Sequence, residues 1–252
     1  MNLTKQLALQ FEHRPSLGGD DFLVAPANAD AVAWLDRWPD WPTPALVLHG
    51  PPGSGKTHLS RVFMAHCGAI EFTMAELNDR EPPDLLASAP AVVIDDFDNV
   101  LKGGVGEESV LHLYNTAKEM GRCLLLTART PPRQWGVGLA DLRSRLVAAM
   151  TTEIGTPDDM LITAVLMKLF ADRQLNVDRD VPGYMLARME RSFDAARRMV
   201  SVIDEAALIS RRNVTVRFVG DVLNRMANDG QDGGVPLAER PQGTATTNKE
   251  EY

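Results

Sequence analysis

The residues best suited to chemistry form one octapeptide, GPPGSGKT, at positions 50–57. It matches the phosphate-binding pattern G-x-x-x-x-G-K-[ST] at every fixed position. In that pattern the backbone N–H groups of a glycine-rich turn converge on phosphate oxygens, the lysine contacts the β- and γ-phosphates, and the final hydroxyl ligates Mg²⁺. The residues predicted to hold a nucleotide are Gly50, Pro51, Pro52, Gly53, Ser54, Gly55, Lys56, Thr57 and His58.

Two adjacent acids follow a second apolar run. Residues 91–94 read AVVI, and Asp95 and Asp96 come directly after them. A P-loop protein needs an acid at this place to hold Mg²⁺, directly or through water, so we expect Asp95 to share the metal with Thr57. Two interpretations of Asp96 stay open: it orients or deprotonates an attacking water, or it caps the turn or helix after the strand.

Thr127 and two arginines are further candidates. Thr127 ends the apolar run LLL, where its hydroxyl would either sense the γ-phosphate beside the first acid or simply favour a strand. Arg143 and Arg145 lie in the amphipathic stretch DLRSRL. A guanidinium inserted into a neighbouring molecule's nucleotide site raises hydrolysis about 10³- to 10⁵-fold. The residues alone leave this role open against that of an exposed helix charge.

Short apolar segments alternate with helix-like stretches in the first part of the chain. The segments 45–49, 69–73, 91–95, 123–127 and 150–154 predict the strands of a parallel α/β sheet. After them we expect helices at 160–170, 180–190, 192–211 and 215–227. Thr156 is the predicted N-cap of the first, with Pro157 at its first position, and Ser192 caps the third. The polar tail after these helices predicts disorder.

Bulk properties exclude several protein classes. With 252 residues, of which 44% are hydrophobic, the chain can bury one substantial core or two modest ones. A net charge of -8 disfavours sequence-blind binding to nucleic acid. Cys67 and Cys123 lack metal-site spacing and are predicted to be reduced core thiols. No apolar run approaches the roughly 18 residues of a membrane span, and Gln6, Gln10 and Glu12 interrupt any signal sequence, so we expect a cytoplasmic protein with no membrane partner.

The order of these motifs carries a family resemblance. GPPGSGKT, VVIDD, LLLT and PPRQWGVGLADLRSRL, followed by a helical region, resemble the AAA+ ATPases of the DnaA clade and, among them, the Hda family of DnaA-related regulators, which lack the initiator's DNA-binding domain. The resemblance spans residues 6–226. It implies a parallel sheet of strand order 5-1-4-3-2, an α-helical lid, ADP or ATP with Mg²⁺ at their junction, and Arg145 as an arginine finger donated in trans, with Arg143 supporting it.

The resemblance also divides the chain. It implies an N-terminal clamp-binding segment at 1–20, an AAA+ nucleotide-binding domain at 21–155, a lid domain at 156–228 and a disordered tail at 229–252.

The hexapeptide QLALQF, which begins at Gln6, is similar to the motif by which Hda proteins and other partners bind the sliding clamp of the replicative polymerase. An extended peptide presents Leu7, Leu9 and Phe11 on one side, while the Gln6 amide meets a groove rim. The alternative stays open that Leu3, Leu7 and Phe11, at i, i+4 and i+8, form one stripe of a short docking helix.

Two positions depart from the family pattern. AAA+ lids usually place a sensing arginine at the start of the third lid helix, where this chain has Asp194; Arg197, one turn later, is the best substitute, with Arg191 behind it. These arginines otherwise form a solvated face. Because of this departure at the sensor position, we expect weak intrinsic ATP hydrolysis. Arg129, after Thr127, stands where related proteins often have an acid, which bears on the sensing function of Thr127. Adenine recognition is expected in a strand around residues 22–25.

Three functions follow from these observations. In the first, the nucleotide-bound protein is held at the DNA-loaded clamp, contacts DNA only through it, and presents Arg145 to ATP held by DnaA. The lack of a basic helix-turn-helix after residue 227 favours this function over a full initiator. The second is a helicase loader or remodelling ATPase that hydrolyses its own ATP as a homo-oligomer. The third is a nucleotide-dependent adaptor without finger activity.

Overall fold

A central parallel sheet organises the first half of the protein. The computed structural model describes residues 23–103, 106–210 and 212–229. Five strands pair in the order β2-β3-β4-β1-β5, which is the predicted order counted from the opposite edge. The strands are β1 (Ala45–His49), β2 (Ile70–Glu71), β3 (Ala91–Ile94), β4 (Cys123–Ala128) and β5 (Met150–Glu153). Every residue of β3 and β4 is buried, as expected for strands covered on both faces.

Helices cover both faces of this sheet, and side chains that alternate along each strand serve the two faces in turn. Val47 and Leu126 pack into a cluster with Phe97, Leu113 and Leu142 on one face. Their neighbours along the strands pack with the helices of the other face. The helices are α1 (Ala29–Asp36), α2 (Lys56–Cys67), α3 (Met74–Asp79), α4 (Pro82–Ala87), α5 (Phe97–Lys102), α6 (Glu107–Glu119) and α7 (Ala140–Ala148), with a 3₁₀ turn at Pro132–Gln134 before α7.

Four helices form a lid with a core of its own. These are α8 (Asp159–Asp172), α9 (Val181–Leu186), α10 (Phe193–Ser210) and α11 (Val216–Asp229). Phe170, Val200, Ile203 and Phe218 are fully or almost fully buried in this core, and it includes no strand residues of the sheet. The lid therefore has a hydrophobic core of its own and follows β5 in the chain.

The start of the lid differs from its prediction. Asp158, and not Thr156, is the N-cap of α8, because its carboxylate accepts the N–H of Leu161 at 2.7 Å. Gly155, the residue before Thr156, donates its N–H to the carbonyl of Ala27 at 2.8 Å. This bond ties the linker to the segment before α1, so Thr156 and Pro157 lie outside the helix.

Other element ends shifted for local reasons. The strand predicted at 69–73 is only Ile70–Glu71, because Thr73 forms a capping box with Glu76 and begins α3. Ser192 caps α10 as predicted: its hydroxyl accepts the N–H of Ala195 at 3.1 Å. The helix predicted at 180–190 is the shorter α9, and α11 extends to Asp229, one residue into the tail predicted to be disordered.

Several sequence predictions concern parts of the chain that the structure does not describe. The clamp motif with Gln6, Leu7, Leu9 and Phe11 lies outside the described residues, as do 230–252.

Cys67 and Cys123 are both free thiols, half-buried and buried respectively, as expected. Within the described ranges, no helix combines the length and the apolar character needed to cross a bilayer.

Candidate functional site

The loop between β1 and α2 has a backbone that only glycine adopts easily. Gly53 and Gly55 have left-handed φ angles of 72° and 102°. A Cβ atom on Gly50 would lie 2.2 Å from the carbonyl oxygen of Ile154. The predicted phosphate loop is thus a turn that requires glycine and packs closely against Ile154, and it ends where the first, unpaired N–H groups of α2 begin. This geometry fits a bound phosphate.

Lys56 lies at the start of α2 and folds back over the loop. Its ammonium donates to the carbonyl oxygens of Gly50 at 2.8 Å and Pro51 at 2.9 Å. Burial lowers the pKa of Lys56, and the carboxylates of Asp95 and Asp96 oppose that shift. The ammonium is therefore influenced by the charges of Asp95 and Asp96, the two acids that follow β3.

A hydrogen-bond network joins three of the predicted site residues across adjacent strands. The hydroxyl of Thr57 donates to one carboxylate oxygen of Asp95 at 2.9 Å, and that of Thr127 donates to the other. The same Thr127 oxygen accepts the N–H of Asp96 at 2.9 Å. Because β4 lies between β1 and β3, Thr127 reaches both the metal-side acid and the residue after it.

Thr57 and Asp95 offer the hard oxygen ligands that Mg²⁺ prefers. In the part of the chain that the structure describes, no three His, Cys, Asp or Glu side chains are grouped to hold a metal ion. Phosphate oxygens and water would have to complete the coordination of Mg²⁺ here, as is usual for this ion. The donor set fits a nucleotide-dependent magnesium site.

Asp96 is engaged on both carboxylate oxygens. One accepts a hydrogen bond from the side-chain amide of Asn99 at 2.6 Å, and the other lies 3.6 Å from Nε of Arg129. Asp96 has a left-handed φ of 53° and occupies the N-cap position of α5, but its side chain accepts no N–H of that helix. Of the two interpretations of Asp96, capping by the side chain is thus not observed.

Asp98 was missed by sequence reasoning. Its side chain is buried, with 3% of the residue exposed, and it accepts the backbone N–H of Arg129 at 3.3 Å. Its charge also opposes the lowering of the Lys56 pKa. The sequence shows this acid in VVIDDFD, but only the fold reveals that α5 turns it back toward the end of β4.

The lid rests directly on the phosphate loop. Phe193, the first residue of α10, donates its backbone N–H to the carbonyl of Gly53 at 3.1 Å. A Cβ on Gly53 would lie 2.5 Å from the Cβ of Ser192, and one on Gly55 would lie 3.0 Å from the Phe193 ring. Sequence reasoning placed neither Ser192 nor Phe193 at the site, since both contacts join residues about 140 positions apart.

A cleft of about 610 Å³ opens between α2, α8 and α10. Leu161, Val165 and Leu169 give it an apolar wall suited to a base, and Arg197 of α10 also lines it. Leu23 is the only described lining residue from the segment expected to bind adenine, and that segment is not a strand in the described residues. The other lining residues are Thr57, His58, Arg61, Lys168, Asp172, Phe193 and Asp194.

The two sensing candidates of the lid are both paired. Arg197 lines the cleft and donates to Asp194 at 2.5 Å, the residue that occupies the usual sensor position. Arg191 instead pairs with Asp159 at the start of α8. It lines a second cavity of about 250 Å³ with Pro51, Pro52 and Ser54 of the loop.

Arg145 lies on α7 and is not among the residues that line the cleft. Leu142 and Leu146 anchor the helix in the core. The Arg145 guanidinium donates through Nε and Nη2 to the two carboxylate oxygens of Asp141, at 3.2 and 3.0 Å. Arg143 is exposed on the same helix. The structure therefore presents a fork-shaped cation outside the chain's own phosphate loop.

Comparison with known proteins identifies the lid. Residues 159–223 match the family described as the lid domain of Hda. The part of the chain that follows β5 is therefore similar to the lid of the Hda family. A relative from Haemophilus influenzae, an uncharacterised protein, is 27% identical over 73% of this chain and 84% of its own length.

Solved structures show the same fold. Domain III of DnaA from Thermotoga maritima is 15% identical with a TM-score of 0.71, over 81% of this chain and 94% of that one. AMPPCP-bound DnaA from Aquifex aeolicus is 15% identical with a TM-score of 0.64, over 88% and 71%. The RuvB branch-migration motor of Thermotoga maritima is 15% identical with a TM-score of 0.58, over 72% and 61%. The shared fold and the match of the lid confirm the predicted resemblance to DnaA-related AAA+ proteins.

Proposed function

We propose that this protein binds ADP or ATP with Mg²⁺ between sheet and lid, and that the bound form presents Arg145 to ATP held by DnaA and promotes its hydrolysis. The observation that carries the proposal is the position of Arg145, which lies on a helix outside the chain's own cleft with its guanidinium held ready by Asp141. An arginine in that place serves another molecule's phosphate better than its own.

The chain's own residues divide the work of holding a nucleotide. The loop N–H groups and Lys56 bind phosphate oxygens, and Thr57 and Asp95 orient the metal. Bound Mg²⁺ supplies charge neutralisation of the phosphates. The apolar wall of α8 excludes water from the base. Because Arg129 and Asn99 occupy the carboxylate of Asp96, the site is better suited to keeping a nucleotide than to hydrolysing it.

The finger step is an exchange of partners. Arg145 is bidentate to a carboxylate, and guanidinium groups bind phosphate oxygens with the same fork geometry. When Arg145 leaves Asp141 for a developing phosphate charge, it stabilises the transition state and not the ground state. Asp141 thus holds the side chain near its working position beforehand.

Delivery to DNA is assigned to the N-terminal hexapeptide. Gln6, Leu7, Leu9 and Phe11 would bind the sliding clamp and so bring an acidic protein of net charge -8 to DNA without direct contact. Tethering raises the effective concentration of Arg145 near DnaA on the same DNA.

The decisive experiment measures hydrolysis of DnaA-bound ATP with and without this protein, in the presence of clamp loaded on DNA. The wild type should stimulate hydrolysis. Arg145→Ala should remove most of the stimulation, since a finger contributes roughly 10³- to 10⁵-fold. Gln6→Ala should lower the stimulation to the level that the wild type gives without the clamp. Arg133→Ala, which removes an exposed arginine outside α7, is the control for charge. Stimulation that survives Arg145→Ala would leave only an adaptor function.

A second candidate function rests on the complete Thr57–Asp95–Thr127 network, which is what a self-hydrolysing helicase loader would need. In such a homo-oligomer Arg145 would complete a sibling's site. Hydrolysis by the isolated protein that rises steeply with its own concentration, and falls in Arg145→Ala, would favour this candidate.

A further inference from the structure

A carboxylate at the start of α6 is bound to the chain just before the finger helix. Glu107 accepts the backbone N–H of Gly138 at 2.9 Å through Oε1, and that of Leu139 at 2.6 Å through Oε2. Gly138 and Leu139 lie 31 and 32 positions after Glu107 in the sequence. Each oxygen of one ionised group thus has its own donor, which is the strong, charge-assisted form of hydrogen bond.

These two bonds hold the chain at the point where α7 begins. Leu139 is the N-cap residue of α7, and its own side chain provides no cap. The Glu107 carboxylate accepts the N–H of this N-cap residue, as the acid of a capping box does, and places negative charge near the positive end of α7. The same backbone donors hold the pKa of Glu107 below its usual range, so the group is ionised at neutral pH.

The segment between β4 and α7 is attached to the acidic strand end at two further points. Its first residue, Arg129, donates its backbone N–H to buried Asp98, and its Trp135 ring packs edge-on against Phe97, with 5.2 Å between ring centres. Asp98 and Phe97 belong to α5, directly after the predicted metal-side acids. Of these attachments, the bonds that Gly138 and Leu139 donate to Glu107 lie nearest to Arg145 along the chain.

We propose that Glu107 is a positioning residue for Arg145: by holding the backbone of Gly138 and Leu139, it sets the place and direction from which the finger helix presents its guanidinium. The inference rests on the proposed function and deepens it. Glu107 contacts no phosphate in this scheme and acts only through α7.

The test compares Glu107→Ala and Glu107→Gln with Glu108→Ala, the exposed neighbour on the same turn of α6. Amide hydrogen exchange at Gly138 and Leu139 should quicken in Glu107→Ala, by less in Glu107→Gln, which keeps one acceptor oxygen, and not in Glu108→Ala. This measurement needs no partner protein.

Stimulation of DnaA-bound ATP hydrolysis is the second measurement. Glu107→Ala should lower the maximal rate by on the order of tenfold to a hundredfold, since misplacement by about 1 Å costs that much, with the half-saturating concentration of the protein nearly unchanged. Affinity for fluorescent ADP should stay at the wild-type value. A general loss of folding would instead lower nucleotide affinity and change the half-saturating concentration.

The outcomes separate the two proposals. A wild-type maximal rate in Glu107→Ala, while Arg145→Ala is inactive, overturns the positioning role alone. So does unchanged exchange at Gly138 and Leu139. If Arg145→Ala stimulates as well as the wild type, the finger function is wrong and the positioning role falls with it.

Discussion

Asp96 and Arg129 show how one neighbouring side chain can change the work of an acid. The Arg129 guanidinium lies 3.6 Å from the Asp96 carboxylate, and both side chains are about half exposed. The Asn99 amide donates to the other carboxylate oxygen, so a water molecule would have to displace one of these two groups before Asp96 could orient it. The departure of Arg129 from the family pattern thus has a local chemical meaning.

Arg129→Ala should raise intrinsic ATP hydrolysis by up to about fivefold, because exposed ion pairs contribute roughly 0.2–1 kcal/mol. Single-turnover hydrolysis by the isolated protein measures it, with Asp96→Asn as the inactive reference. Arg133→Ala, an exposed arginine four positions on, is the matched control. A fall in rate would mean that Arg129 assists hydrolysis, and this account of Asp96 would be wrong.

At the scale of elements, the phosphate loop and the start of α10 behave as one packed unit. Gly53 combines a left-handed φ of 72° with a Cβ position only 2.5 Å from Ser192. Gly68, at the end of α2, has a nearly equal φ of 70° but open space around it. The chain therefore contains a matched pair that separates backbone strain from crowding by the lid.

Gly68→Ala should cost only the strain of a left-handed residue, about 1 kcal/mol. Gly53→Ala should cost that plus an overpacking penalty of about 1–3 kcal/mol, and it should weaken ADP binding. Urea unfolding and nucleotide titration measure both effects. Replacing Ser192 by Gly in the Gly53→Ala background should recover part of the loss. Equal costs at Gly53 and Gly68 would argue against close contact between lid and loop.

What the sequence could reveal depended on how far apart the partners lie. The strand order came from a family resemblance, and the loop from a pattern of eight consecutive residues, so both predictions needed no long-range contact. Asp98, Phe193 and Glu107 escaped notice because each acts on backbone atoms 31 or more residues away. Such partners can be any residue type, and nothing in their own identity marks them.

Element ends were missed where two local signals competed. Thr73 is a good strand former, but with Glu76 three residues later it caps α3 instead. Thr156 followed by proline resembles a helix start, yet Asp158 offers the carboxylate that α8 uses. In both cases the side chain with the better oxygen acceptor determined the boundary.

At the scale of the whole molecule, the stability of the fold should depend on ionised carboxylates that accept hydrogen bonds from the protein. The pKa values of three carboxylates are lowered by the hydrogen bonds that they accept. Glu107 accepts from Gly138 and Leu139, Glu76 accepts from Thr73, and Asp159 accepts from Arg191. A group whose pKa is depressed on folding stabilises the native state above its unfolded pKa. That contribution is lost as the pH falls through the folded value.

The melting temperature should therefore fall on acidification below about pH 4.5, near the ordinary pKa of a glutamate. Glu107→Gln isolates one contribution from the general change in net charge. The wild type should melt above this variant at pH 7, and the difference should shrink toward zero below the folded pKa of Glu107. A difference that is constant with pH would show that the charge of Glu107 is irrelevant to stability.

The hydrogen bond between Phe193 and Gly53 joins one end of a long helix to the phosphate loop. The helix α10 has 18 residues and so spans about 27 Å, and its first residue is the one bound to the loop. Leu208 and Ile209, near its far end, are 70% and 87% exposed. A tilt of the helix about this hydrogen bond would move Leu208 and Ile209 further than it moves the first turn, so we expect any rearrangement of the loop that tilts α10 to be largest at these two residues.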